Sequence, residues 1–366
     1  MHPMRRIATS VWCALLVLVA ACLTAGQAPT EPARGTPAGA RATGGGGQSD
    51  ARGRGERGQG PLTVPEGGFF FVQLSDTQFG FSNNDIDFIQ DTVNAEFAIA
   101  TVNRLRPAFV IVTGDLVNKP GDAAQIAEYR RIIGTIHPSI PVYHVAGNHD
   151  VENEPTPESL AAYRRVFGRD YYTFQHGSFV GIVLNSSLIH SPQRANAELA
   201  EQDRWLRAEL QRLATGGAGH IVIVQHHPWF LEKTDEPDQY FNIPGVRRTP
   251  LLELFRSAGV RYLVAGHLHR STEATDAGVV SIVTGAVGRP LGGSQSGFRI
   301  FVVTDTEITS RYYAFGEMPY RLGPPALRGR GPGAARGEGT GGRDQPRAGG
   351  PPGQGPVGPS PTPGRP

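Results

Sequence analysis

Five short stretches of this 366-residue chain place carboxylate, amide and imidazole side chains directly behind an apolar run. They are Ser75-Asp76-Thr77-Gln78, Gly114-Asp115, Gly147-Asn148-His149-Asp150, His226-His227-Pro228 and Gly266-His267-Leu268-His269. Singly, each has an ordinary explanation, because Asp and Gly-Asn pairs favour turns and helix caps. Together they form a donor set of oxygen and imidazole without thiolate, which suits Mn, Fe, Zn or Ni better than a structural Cys-rich zinc site. Two such ions about 3.5–4 Å apart need a shared carboxylate. Asp115, central in the pattern, is the natural bridge.

The elements that must position these groups are legible as alternating patterns. Apolar, β-branched or aromatic runs at 69–74, 108–113, 141–146, 179–184, 220–225, 261–266, 279–284, 299–304 and 308–313 read as strands. Helical patterns occupy about 91–106, 122–136, 156–167, 197–214 and 249–258, with Gly121-Asp122 and Pro155-Thr156 as helix starts. The alternation predicts an α/β fold of parallel strands with crossover helices. In an open sheet of that kind ligands gather beyond the carboxyl ends of the strands, so five strand ends deliver Asp, Asn and His to one edge.

The rest of the chain has a different character. Its 48 Gly and 30 Pro concentrate in 26–68 and 323–366, stretches with no apolar period around which a core would form. The expected organisation is a signal peptide over 1–22, a disordered Gly/Arg-rich linker over 23–68, a folded domain over 69–320 and a disordered Pro/Gly/Arg-rich tail over 321–366. From residue 321 onward there are seven Arg against two acidic residues, while the whole chain is only +2, so the folded part is net acidic and no specific nucleic-acid binding is expected. The N-terminus has a basic start, an apolar run short for a membrane span and an end in small residues, as in an export signal. Val19-Ala20-Ala21-Cys22 resembles the lipobox of bacterial lipoproteins, which places a lipid anchor at Cys22 and the protein in the periplasm or on the cell surface. Both cysteines, Cys13 and Cys22, fall in this segment, so the mature fold has no disulfide and relies on its core and any bound metal.

In order and spacing, SDTQ, GDLVN, GNHD, QHHP and GHLH resemble the five blocks of the calcineurin-like metallophosphoesterases, over essentially 69–313. DTQFGF, GNHDVENEPTPESL and FLEKTDEPDQYFNIP are similar to a serine/threonine-protein phosphatase subgroup of that family known from animals, of which this chain would be an exported bacterial relative. The resemblance implies a four-layer α/β/β/α sandwich around two divalent metal ions. Asp76 and His269 would hold the first ion and Asn148, His226 and His267 the second, with Asp115 bridging. Gln78 stands where the wider family has His; its amide oxygen is a weaker donor, so the first ion is expected to bind more loosely or to be completed by water. His149 would be the catalytic histidine and Asp150 the acid that orients it.

The implied function is phosphoester hydrolysis by a metal-activated hydroxide. Monoesters of a small molecule or a phosphoprotein are the leading substrates, with cyclic nucleotides or glycerophosphodiesters as the alternative. A non-catalytic metal-binding surface module is a third reading, disfavoured by the nearly complete ligand set. Substrate contacts are open: Asn185 either points to the site or serves a turn, Arg289 either meets phosphate oxygens or is a solvated turn residue, and Tyr240 with Asn242 shapes the mouth. His227 lines the pocket or faces away.

Overall fold

The computed structural model of the chain describes residues 62–217 and 219–322. The signal and lipobox expected from the sequence, and most of the linker and tail, lie outside the described residues. In chain order the elements are β1 (Phe69–Leu74), α1 (Ile89–Leu105), β2 (Val110–Thr113), α2 (Ala123–Ile133), β3 (Val142–Val145), α3 (Asn148–Val151), α4 (Pro157–Phe167), β4 (Tyr172–His176) and β5 (Phe179–Val183). There follow α5 (Ser186–His190), α6 (Asn196–Thr215), β6 (His220–Val224), α7 (Gly245–Ser257), β7 (Tyr262–Ala265), β8 (Thr272–Asp276), β9 (Val279–Val283), β10 (Gly297–Val303) and β11 (Ile308–Ala314).

These strands form two sheets, β11-β10-β1-β2-β3 and β4-β5-β6-β7-β9-β8. The first is parallel along β1-β2-β3 and antiparallel along β1-β10-β11, and the second is parallel along β5-β6-β7-β9 with antiparallel β4 and β8 at its edges, so the sheets are mixed rather than parallel throughout. Side chains of a strand alternate between faces, and that alternation separates the two parts of the core. Phe71, Ile111 and Val145 from one sheet meet Val183, Val222, Val224 and Val264 from the other in an inner layer. At its centre Phe71 stacks on Phe109 and Phe301, both at 4.6 Å between ring centroids. The intervening residues, Val72, Val110, Val112, Ile221 and Ile223, cluster with apolar positions of α1, α2, α4, α6 and α7. The result is helix, sheet, sheet, helix.

Local signals explain where several helices start. Asp122 caps α2 by accepting from the amides of Ala124 and Gln125, both at 3.0 Å. Thr156 and Ser159 form reciprocal cap bonds at α4, with Pro157 in its first turn. Next to the inner apolar layer Gln73 is fully buried; its amide donates to Thr113 Oγ1 at 2.8 Å and to the Ala265 carbonyl at 2.9 Å. It thus staples the first sheet to the second just below the strand ends. Among the described residues no helix is long and apolar enough to cross a membrane.

Candidate metal centre

The carboxyl ends of β1, β2 and β3 in one sheet and of β6 and β7 in the other converge, so the expected single edge is a rim shared by two sheets. Asp76, Asp115, Asn148, His226, His267 and His269 are all buried there. To turn back over the strand ends the chain adopts positive φ at Asp76 (49°), Gln78 (36°), Asp115 (49°), His267 (70°) and His269 (54°), half of the ten non-glycine residues that do so among those described. Such backbone is costly and persists where its surroundings fix it, characteristically at functional sites. Two glycines are required by crowding: a Cβ on Gly147 would run into the backbone and carboxylate of Asp115, and one on Gly266 into Ser75 Oγ and the Asp76 carboxylate.

Two groups of side chains share one carboxylate. Asp115, His226 and His267 present ligand atoms within 4.8 Å of one another, as do Asp76, Asp115 and His269. Asp115 Oδ2 lies 3.2 Å from His226 Nε2, and Asp76 Oδ1 lies 3.4 Å from His269 Nε2. Asn148 Oδ1 joins the first group, 3.1 Å from His226 Nε2. The opposite ring nitrogens are fixed by carbonyls: His226 Nδ1 on Thr113 at 2.8 Å and His269 Nδ1 on Arg289 at 2.6 Å. This orients each Nε2 inward, the usual support of a metal-binding imidazole. Asp76 Oδ1, Gln78 Oε1 and His267 Nε2 are buried without any hydrogen-bond partner. Buried polar atoms are rarely left so, and His267 turns its other nitrogen, Nδ1, to within 3.1 Å of His226 Nε2, so a shared carboxylate with orphaned oxygens and imidazoles beside it fits divalent cations.

The electrostatics of the cluster are divided. Burial raises the Asp76 carboxyl against the pull of His269 and His226. At Asp115 burial acts the same way but His226 outweighs it and holds the carboxyl well below the usual range. His226 is pushed up to about 9, burial being overcome by Asp115. His267 is depressed well below the ordinary imidazole value by burial and by His226. It is therefore neutral, as a metal-binding imidazole must be.

His149 is half-buried beside this cluster, and its orientation corrects the sequence-based expectation. Its Nδ1 is 2.7 Å from the Asn118 carbonyl. Asp150 is instead occupied with backbone: Oδ1 accepts from the amides of Leu116 at 3.0 Å and Val117 at 3.3 Å, and Oδ2 from Gly147 at 2.8 Å. Burial, together with the charge of Asp115, pushes its carboxyl up to about 8. Asp150 thus ties the loop after β2 to the loop after β3 and does not orient His149. The group that does, Asn118, sits within the GDLVN block, but a backbone carbonyl leaves no residue-type signal to find.

The rim residues divide. Tyr240 overhangs the centre, its ring 5.1 Å from that of His267 and its hydroxyl hydrogen-bonded to the Asn148 side chain. Asn242 braces the same loop from inside, donating to Glu236 Oε1 at 2.7 Å and to the Pro237 carbonyl at 3.0 Å. Asn185 does not reach the site: it is fully buried, caps α5 through Leu188 N and donates to Asp170 Oδ2 at 3.0 Å. His227 bonds Ser186 Oγ at 2.9 Å and packs 4.3 Å from the His267 ring, so it lies against the cluster with its Nδ1 already engaged. Arg289 is exposed, its guanidinium 5.5 Å above the Phe81 ring.

Comparison with known proteins agrees with this geometry. The family model described as calcineurin-like phosphoesterase matches residues 71–271. The chain is 35% identical over 268 residues to the serine/threonine-protein phosphatase CPPED1 of Bos taurus, covering 69% of this chain and 86% of that protein. It is also 30% identical over 188 residues to a cAMP/cGMP dual specificity phosphodiesterase of Mycobacterium tuberculosis, covering 50% of this chain and 55% of that one. Among solved structures, a purple acid phosphatase from yellow lupin (Lupinus luteus) seeds superposes with a TM-score of 0.54 at 15% identity, over 71% of this chain and 53% of the other, a likeness of fold.

Proposed function

The chain belongs to the calcineurin-like phosphoesterase family and is a hydrolase of phosphoric ester bonds, and we propose that its substrates are phosphate monoesters, phosphoserine and phosphothreonine in proteins among them. The observation that carries the reading is the pair of ligand groups sharing Asp115, to which Asp76 and Gln78 bring buried oxygens with no hydrogen-bond partner. Asp76, Gln78 and His269 would hold one divalent cation, Asn148, His226 and His267 the other, and Asp115 both. Cations bound there would supply charge for the phosphoryl oxygens and lower the pKa of water to give a nucleophile near neutral pH.

The chain's own residues do the rest. His149 Nδ1 faces a carbonyl, which only accepts, so that nitrogen keeps its proton and Nε2 is the atom free to deliver one to the departing oxygen. Phe81, 6.4 Å from the His149 ring and 5.0 Å from that of His269, walls the same side. Tyr240 covers the opposite ligand, His267. The serine/threonine-protein phosphatase relative supports a monoester substrate; the mycobacterial relative supports the second reading, hydrolysis of phosphodiesters. With Mn(II) the protein is expected to hydrolyse p-nitrophenyl phosphate faster than its bis ester; the reverse preference would favour the second reading.

The reading extends to location. The lipobox-like Val19-Ala20-Ala21-Cys22 and the Gly-rich stretch behind it support an exported enzyme held by a lipid at Cys22, with 23–68 as its stalk. Metabolic lipid labelling in a bacterial host should mark the wild type and not Cys22→Ala. Labelling of neither would refute the anchor.

A further inference from the structure

Beside the metal centre lies a trough of about 440 Å³ lined by Ser82, Gln90, Asn94, Gly288, Arg289, Pro290 and Ser296. Its lining mixes polar side chains with apolar surface, and Arg289 is its only charged residue. The backbone there is fixed from two sides. Gln90 donates to Asn94 Oδ1 at 2.9 Å, and Asn94 in turn donates to the Gly288 carbonyl at 3.0 Å. On the other side the Arg289 carbonyl accepts from His269 at 2.6 Å. The Arg289 side chain, by contrast, is exposed, rests on Phe81 and makes no ion pair among the described residues. The nearby carboxylates are already engaged: Asp91 accepts from Gly80 N at 2.9 Å and from Ser82, and Asp87 from Asn83 at 2.6 Å.

A cation with no partner, pinned on an aromatic ring at a fixed offset from the reaction centre, is built to meet an anion that arrives with the substrate. The scissile phosphate belongs to the ligand groups around Asp115. We propose that the trough is a recognition subsite for a second anionic group that the substrate carries apart from its scissile phosphate. In a phosphoprotein this would be a Glu or Asp side chain flanking the phosphorylated residue. The proposal rests on the monoester reading above.

The test compares two phosphoserine peptides that differ only in having Glu or Gln at the positions flanking the phosphoserine. Wild-type protein should favour the Glu peptide in kcat/KM by roughly three- to tenfold, as expected for a partly solvated ion pair, and the preference should shrink as salt is raised. Arg289→Gln, which keeps the backbone carbonyl on His269, should bring the ratio of the two peptides to about one, and Arg289→Lys should restore part of it. An equal loss on both peptides would place Arg289 on the transferred phosphoryl and overturn the subsite, as would an unchanged ratio in Arg289→Gln. If wild type hydrolysed neither peptide while cleaving a phosphodiester, the monoester reading itself would fail, an outcome separate from any change in the ratio.

Discussion

His149 and Asp150 are neighbours in sequence yet serve different ends. They lie on the short helix α3, where successive side chains diverge by about 100° and do not face each other; one turns toward the metal groups, the other back into the loops. Two predictions separate the roles. His149→Asn should lower kcat by about 10²–10⁴, the span typical of a lost general acid, while metal content measured by elemental analysis stays that of wild type. Asp150→Ala should lower stability by about 1–3 kcal/mol, because the buried amides of Leu116, Val117 and Gly147 lose their acceptor. In urea titrations its midpoint falls. The pH-rate profile of the remaining activity should keep its shape, which an Asp150 that tuned His149 would not allow.

At the level of elements, the segment between β6 and α7 shows how a long irregular loop is made rigid. Glu236 accepts from the amides of Leu231 at 2.9 Å, Glu232 at 2.8 Å and Lys233 at 3.1 Å. Arg248, buried in α7, donates to the carbonyls of Thr234 and Ile243, both at 2.9 Å, and of Glu236. Replacing it with Leu strands those carbonyls, so Arg248→Leu should cost roughly 2–5 kcal/mol and, by loosening Tyr240, raise KM at unchanged metal content. A second element-level prediction concerns pH. His144 in β3 packs between Tyr129 and Phe167, its Nε2 has no partner, and burial lowers its pKa to about 4. Its folded value lies below its ordinary 6.5, so the stability linked to its neutral form is complete above about pH 6.5 and is lost as pH falls toward 4. His144→Phe should remove on the order of 1–3 kcal/mol of that acid-side loss in denaturation midpoints compared at pH 7 and pH 5. The same scale explains what the sequence conceals. Strands with apolar faces were legible, β1 to the residue. β4 and β8 were not, because an edge strand such as Thr-Glu-Ala-Thr-Asp is held by backbone pairing to one buried neighbour and needs no apolar run of its own. The donor groups were legible because each follows an apolar or β-branched run that reads as a strand. That they belong to two sheets came only from the family resemblance and not from the strand pattern, since the pairing order β7-β9-β8 and β10-β1 is set by contacts distant in sequence.

For the molecule as a whole, the two sheets have different reasons to stay together at their two ends. Through most of their area they share aromatic and aliphatic side chains around Phe71, Phe109 and Phe301. At the rim that layer gives way to Gln73 and then to the metal groups, where Asp76 and Asp115 are buried close together and five residues hold positive φ. Two buried carboxylates repel each other, and the strained backbone returns nothing unless something binds all the donors at once. Cations shared between strands of both sheets would do so, making metal affinity part of the folding free energy. Chelation is therefore expected to lower Tm, and Mn(II) added back should raise it with a concentration dependence that follows the binding constant, about 2.7 kcal/mol at a hundredfold excess over Kd. Asp115→Asn, which removes the shared charge and keeps the side-chain volume, should abolish that response to metal and yet fold without it, because the repulsion with Asp76 is gone. A Tm of the wild type indifferent to chelator would mean that the inner aromatic layer alone joins the sheets.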